Sequence, residues 1–254
     1  MATTTRTGSQ RALPWAVLAA SVLQAAAPIV PFAGAGETPA GSGTDLRIEP
    51  AGYAFSIWSL IYLLSIVYAV VVVTKRTTGT AAPARLQRDL LGGYLGAALW
   101  IAVSAADISW ATALVLVVMT VLLVDAVLVV ARPVSADDGP GWVTVLARVT
   151  VGIYAAWVTV AVFLNLASAA AAYLDAADPD ALGWQLAVLV VTVLVALAIT
   201  AKVGASTPTY ALTLLWAFVG VLVTAWRGST VLVALSVATL AAVLAVQAFA
   251  LTRR

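Results

Sequence analysis

The chain has no cysteine and no histidine. Without cysteine there are no disulfides, no thiolate nucleophiles and no Cys-ligated metals. Without histidine the commonest general base and the commonest metal ligand are missing. Charge is scarce as well. Only 9% of the 254 residues are Asp, Glu, Lys or Arg, where a soluble domain carries about 25%. No cluster of buried carboxylates compensates, so an enzyme would lack its usual parts. No catalytic residue and no metal ligand is assigned. A formal charge of +2 does not indicate a nucleic-acid partner.

What remains is apolar. Hydrophobic residues make up 63% of the chain, and its mean hydropathy is +1.06. Spans of about 20 apolar residues without ten-residue alternation imply an all-α, polytopic membrane protein rather than a barrel. Eight apolar segments are expected, near 13–33, 52–74, 89–108, 110–131, 142–172, 183–203, 208–226 and 229–251. The fifth exceeds the usual span and is expected to tilt or project. The first contains Pro28 and Pro31 and is followed by a polar loop without a clear small-x-small site. It is therefore expected to be a span, not a cleaved signal peptide.

Charge tests this layout. With the N-terminus in the cytoplasm, Arg6, Arg11, Lys75, Arg76, Arg85, Arg88, Arg132, Arg148, Lys202, Arg253 and Arg254 fall on or toward the inner side. Only Arg47 and Arg227 fall outside. Eleven against two is a strong positive-inside bias. The expected location is the bacterial cytoplasmic membrane, with both termini cytoplasmic and the lipid bilayer as partner.

Five of the nine tryptophans (Trp15, Trp110, Trp142, Trp184 and Trp226) lie at span ends, the ordinary interfacial belt. Trp58, Trp100, Trp157 and Trp216 lie inside spans. Phe55, Trp58 and Tyr62 are three and four residues apart, on one helical face. Trp58 and Trp100 each sit seven residues from the outer end of a span, roughly 10 Å deep. Span 5 adds a stripe of Tyr154, Trp157, Ala161, Asn165 and Ser168. Gln24 lies near the middle of span 1. An amide in hydrocarbon is costly unless hydrogen-bonded, so Gln24 and Asn165 should face the bundle interior. Gln24, Phe55, Trp58, Tyr62, Trp100, Tyr154, Trp157 and Asn165 are thus candidate ligand-binding residues in the outer half. Plain helix–helix packing is the competing use of the same side chains.

Asp125 is the only acid deep in a span. It and Arg148 reach similar depths on consecutive antiparallel spans, so a structural ion pair is expected. A proton or substrate path is the alternative use of Asp125.

The stretch Pro50-Ala-Gly-Tyr-Ala-Phe-Ser-Ile-Trp-Ser-Leu-Ile-Tyr-Leu-Leu resembles the second-helix signature of the TspO/MBR family, the translocator or tryptophan-rich sensory proteins. Tyr154-Ala-Ala-Trp157, with Asn165 eight residues beyond the Trp, is similar to that family's fifth helix. Ala51 stands where many members have a second proline. The resemblance covers roughly 13–172 and implies a five-helix bundle after a short tail, 1–12. The implied pocket lies near helices 1, 2 and 5, under a lid between helices 1 and 2. Trp58, Trp157 and Asn165 are the residues it carries over. It also implies a planar ligand such as a porphyrin or haem, and a homodimer as in many members. Residues 173–254 form a three-helix extension, similar to a longer bacterial branch of the family.

The leading expectation is therefore a membrane binding or sensory protein holding a planar hydrophobic ligand such as a tetrapyrrole. The alternative is a secondary transporter of a small hydrophobic or amphipathic solute. Gln24 with Pro28, Gly152, and the stretch Gly204–Pro208 match its broken helices only in part, and no inverted repeat is evident.

Overall fold

The computed structural model describes residues 8–29, 46–174, 177–178, 180–226 and 228–253. Among them the chain is helical, without strands. Eight α-helices follow one another: α1 Gly8–Ala26, α2 Ile57–Lys75, α3 Pro83–Ala105, α4 Ser109–Val130, α5 Gly141–Tyr173, α6 Leu182–Val203, α7 Pro208–Ala225 and α8 Thr230–Thr252. Each corresponds to one expected segment. Six stretches are by themselves long and apolar enough to cross a bilayer: Gly52–Lys75, Ser109–Val130, Gly141–Tyr173, Leu182–Val203, Pro208–Ala225 and Thr230–Thr252. Helix α1 has a shorter apolar part, Ala12–Ala26. Helix α3 carries Arg85, Arg88 and Asp89 near its start.

Local chemistry sets the boundaries. Pro83 and Pro208 open α3 and α7, where a proline gives up no helical hydrogen bond. Ser229 caps α8, its Oγ accepting from the Leu232 amide at 3.3 Å. Helix α2 stops at Arg76, whose φ of 58° is left-handed. Three boundaries differ from expectation. Helix α1 ends at Ala26, two residues before Pro28. Helix α3 starts six residues before the apolar run, because Pro83 nucleates a first turn and a half that is charged. Gly52–Ser56 is a 3₁₀ turn, and α2 proper begins at Ile57. Most of the expected lid, 34–45, lies outside the described residues.

The first five helices close a ring. Helix α1 packs on α2 and α3, α3 on α4, α4 on α5, and α5 back on α2. The last three helices cover the other side of α5: α7 and α6 pack on it, and α8 packs on both of them. Helix α5 is in consequence buried without interruption from Thr150 through Val162. Its 33 residues span about 50 Å at 1.5 Å per residue, more than a bilayer core.

Helix α7 also grips the turn before α2. The Ala51 amide donates to the Gly220 carbonyl at 3.0 Å, and the Trp216 indole N–H donates to the Ala54 carbonyl at 3.0 Å. A Cβ on Gly220 would sit 2.9 Å from the Pro50 Cβ, so only glycine permits this approach. At the opposite end, Tyr68 donates to the Thr78 carbonyl at 2.7 Å and Thr144 to the Gly79 carbonyl at 2.9 Å. These bonds tie the α2–α3 loop to α2 and to α5.

The charge asymmetry predicts sidedness. Single cysteines replacing the exposed Asp107 and Asp178 should react with a membrane-impermeant maleimide on intact cells. A cysteine replacing the exposed Ala136 should react only after permeabilisation. Labelling at Ala136 in intact cells would reverse the assignment.

Candidate functional site

Trp58 is the hub of an aromatic cluster at the end of the bundle that carries Leu46–Pro50 and Asp107. It projects from the first turn of α2. Its ring stacks on Trp100 of α3, with centroids 5.4 Å apart and planes 26° apart. It stacks on Tyr62 of its own helix at 5.6 Å and 28°. It meets the edges of Tyr154 and Trp157 of α5 at 5.9 and 6.3 Å. Phe55 meets Trp157 edge-on at 5.6 Å. Such offset and edge-to-face pairs suit the ring quadrupoles and contribute about 0.5–1.5 kcal/mol each beyond burial.

The polar groups of the cluster are satisfied in two places. Trp100 Nε1 donates to Asn165 Oδ1 at 3.2 Å, and Asn165 Nδ2 donates to the Ala161 carbonyl at 3.0 Å. Tyr154 Oη donates to Gln24 Oε1 at 2.9 Å, with both residues fully buried. Three buried polar groups of the cluster have no partner among the described residues: Gln24 Nε2, the indole N–H of Trp157 and the hydroxyl of Tyr94, which stacks on Tyr154.

A cavity of about 60 Å³ lies against this cluster, between the first turn of α2, the end of α3, the start of α4 and the middle of α5. Phe55, Trp58, Trp100, Trp157 and Asn165 line it. Gln24, Tyr62 and Tyr154 do not. Tyr62 and Tyr154 pack on Trp58, and Gln24 holds Tyr154. Among the described residues the cavity thus lies between α2, α3, α4 and α5, and Gln24 of α1 stands behind Tyr154 and off its wall. Sequence reasoning did not single out Glu49, Ser104, Asp107 and Thr112 on its wall. Ser104 had a signal: it follows Trp100 by four residues, on the same helical face, while Asp107 lies beyond the end of α3. Tyr94 was also missed. It stacks on Tyr154 at 6.1 Å and forms the floor of the cluster.

The ionic partner of Asp125 is not Arg148. Arg85 of α3 holds the Asp125 carboxylate in a two-pronged contact, Nε to Oδ2 at 2.6 Å and Nη2 to Oδ1. Arg148 instead donates from Nε to the Val130 carbonyl at 3.0 Å and from Nη2 to the Arg132 carbonyl at 3.2 Å. It closes the C-terminus of α4, where unsatisfied carbonyls carry partial negative charge. The difference has a simple cause. The early start of α3 raises Arg85 to the depth of Asp125, and its guanidinium matches a carboxylate fork. The pair is also half-exposed, with side-chain exposures of 51% and 27%, rather than sealed in the bundle. Asp89, one turn after Arg85, is 8% exposed beside this pair.

Among the described residues no group of three potential metal ligands gathers. A family model for TSPO-like proteins matches residues 12–250. The chain therefore belongs to the TSPO-like protein family, and the match runs through all eight helices. No curated protein and no solved structure matches it.

The ionic geometry makes a double-mutant prediction. Asp125→Ala and Arg85→Leu should each lower the melting temperature in detergent, and the double mutant should lose less than their sum, because both remove one contact. Arg148→Leu removes two charge-assisted hydrogen bonds and should cost about 1.5–3 kcal/mol. Its effect should add to that of Asp125→Ala. Coupling of Asp125 to Arg148 but not to Arg85, measured by thermal unfolding, would overturn the pairing.

Proposed function

We propose that this TSPO-like membrane protein is a binding or sensory protein that holds a planar hydrophobic ligand, such as a tetrapyrrole, against the Trp58 cluster. The observation that carries this reading is the convergence of Phe55, Trp58, Trp100 and Trp157 from three separate parts of the chain onto one cavity. Helix packing alone needs small residues for close approach. Three indoles and a phenyl ring around a void make a wall that accepts a flat guest on either face or edge. A binding role rather than catalysis is what family membership supports.

The cavity measures about 60 Å³, and pockets that enclose drug-sized ligands measure about 300–1,000 Å³. A tetrapyrrole therefore enters only if rings move. The Trp58–Trp100 stack is the natural place. Parting it exchanges ring–ring contacts for ring–ligand contacts of the same kind, at small net cost. Asn165 anchors Trp100, so the α2 side of the stack is the one free to swing.

Tryptophan-fluorescence titrations with haem, protoporphyrin, a sterol and a carotenoid should show saturable quenching by a planar ring system. Trp58→Ala and Trp157→Ala should each weaken that binding by about 1–3 kcal/mol. Trp226→Ala, 72% exposed at a helix end, should leave it unchanged. Equal losses in all three variants would point to general destabilisation and remove the reading.

A further inference from the structure

A second and larger cavity lies at the other end of the bundle, where α2 stops. It measures about 790 Å³, within the range of about 300–1,000 Å³ typical of small-molecule sites. Its walls come from the early part of α1, the end of α2, the α2–α3 loop, the start of α3 and the Ala136–Asp138 turn. Thr77 holds that turn in place, its hydroxyl donating to the Asp138 carbonyl at 2.6 Å. Leu13, Val72 and Val73 supply apolar surface, and Trp15 on the same wall is exposed, as an indole at a membrane interface is. Three polar groups give the wall its chemistry. Gln87 of α3 is buried there, and its Oε1 has no donor. A buried amide oxygen without a donor is an exception that a bound group would explain. Arg76 makes no ion pair among the described residues, and residues 1–7 contain no acid. Asp137 makes none either, whereas the neighbouring Asp138 carboxylate accepts from the Ser135 amide and hydroxyl at 2.9 Å.

We infer that this cavity binds the headgroup of a zwitterionic phospholipid that carries a primary ammonium. The phosphate pairs with Arg76, whose guanidinium fork suits phosphate oxygens. The ammonium donates to Gln87 Oε1 and takes Asp137 as its countercharge. Leu13, Val72 and Val73 receive the glycerol and the first methylenes of the chains. Each unmet group on the wall thus finds a partner of the right kind: an anion for the guanidinium, a cation for the carboxylate, an N–H for the amide oxygen. A quaternary ammonium has no N–H and leaves Gln87 unmet. A purely anionic headgroup brings no cation to Asp137. The site lies away from the Trp58 cluster and does not depend on the planar-ligand reading.

Native mass spectrometry of the full chain in non-ionic detergent reads the first bound lipid. The probes are phosphatidylethanolamine, phosphatidylcholine and phosphatidylglycerol with identical dioleoyl chains. Phosphatidylethanolamine should bind about tenfold tighter than phosphatidylcholine, the effect of one hydrogen bond to an otherwise unmet buried acceptor. It should also bind tighter than phosphatidylglycerol. Arg76→Gln should lower its affinity about threefold, within the range of an exposed ion pair. Asp137→Asn should do the same and leave phosphatidylglycerol no weaker. Gln87→Met, which keeps the volume and removes the acceptor, should bring phosphatidylethanolamine and phosphatidylcholine together. Lys75→Gln alters a charge at the same helix end but off the wall, and should leave all three affinities unchanged. Equal binding of the three lipids, or binding of none, would overturn the inference. So would a phosphatidylethanolamine preference that survives Arg76→Gln and Asp137→Asn, two exposed positions whose variants leave the core intact. A loss in Lys75→Gln equal to that in Arg76→Gln would reduce the effect to general surface charge and overturn the site.

Discussion

From Thr150 through Val162, every residue of α5 is buried. A membrane helix ordinarily leaves one face to lipid, and the rest of this structure follows from the exception. Neighbours must cover every side, which takes α2 and α4 on one flank and α6 and α7 on the other. Close approach then requires small residues. Gly152 is one of them: a Cβ there would lie 2.6 Å from the Thr207 methyl. In the bilayer such packing stabilises through van der Waals contact and hydrogen bonds, since lipid already satisfies apolar surface. The first five helices and the last three are thereby joined through one shared helix. The clasp between α7 and Pro50–Ala54 adds a second link, directly beside the aromatic cluster.

The polar side chains within this core are settled largely by local bonds. Thr159, Thr192, Thr200 and Thr239 each return a hydroxyl to the carbonyl four residues earlier, at 2.7–2.8 Å. This keeps hydroxyls inside an apolar bundle without distant partners. Bonds between helices are fewer and more specific. Tyr154 meets Gln24, and Tyr210 donates to Thr159 at 3.1 Å. Trp100 meets Asn165. Two of these three bonds brace the residues around Trp58. The aromatic cluster is therefore held in place by hydrogen bonds as well as by ring contacts.

Much of the architecture was legible in the chain because hydropathy is a one-dimensional property. Lipid rewards runs of about 20 apolar residues, and the eight apolar segments became eight helices, six of them long and apolar enough to cross a bilayer. The aromatic positions were legible for a related reason. Helical spacing places residues three or four apart on one face, and distance from a span end fixes depth. These two rules were enough to associate Phe55, Trp58, Trp100, Trp157 and Asn165 before any contact was known. Gln24 and Tyr154 were placed in the same layer by the same rules, but depth does not say which neighbour a side chain meets. They bond to each other behind Trp58 and leave the cavity wall to others.

The amino-acid sequence by itself determined the helix count, the uneven spacing of basic residues along the chain, and the aromatic and amide residues at one depth. Only the tertiary structure decided the partners. Asp125 had several arginines within axial reach, and the choice of Arg85 depended on where α3 begins and which face of it meets α4. Arg148 was left to the carbonyls that end α4. Glu49 and Asp107 joined the cavity wall because loops separated by more than fifty residues fold over the same helix ends. Axial position follows from rise per residue and can be counted along the chain. Rotation about the helix axis and lateral neighbourhood arise from packing among helices, which no single segment encodes.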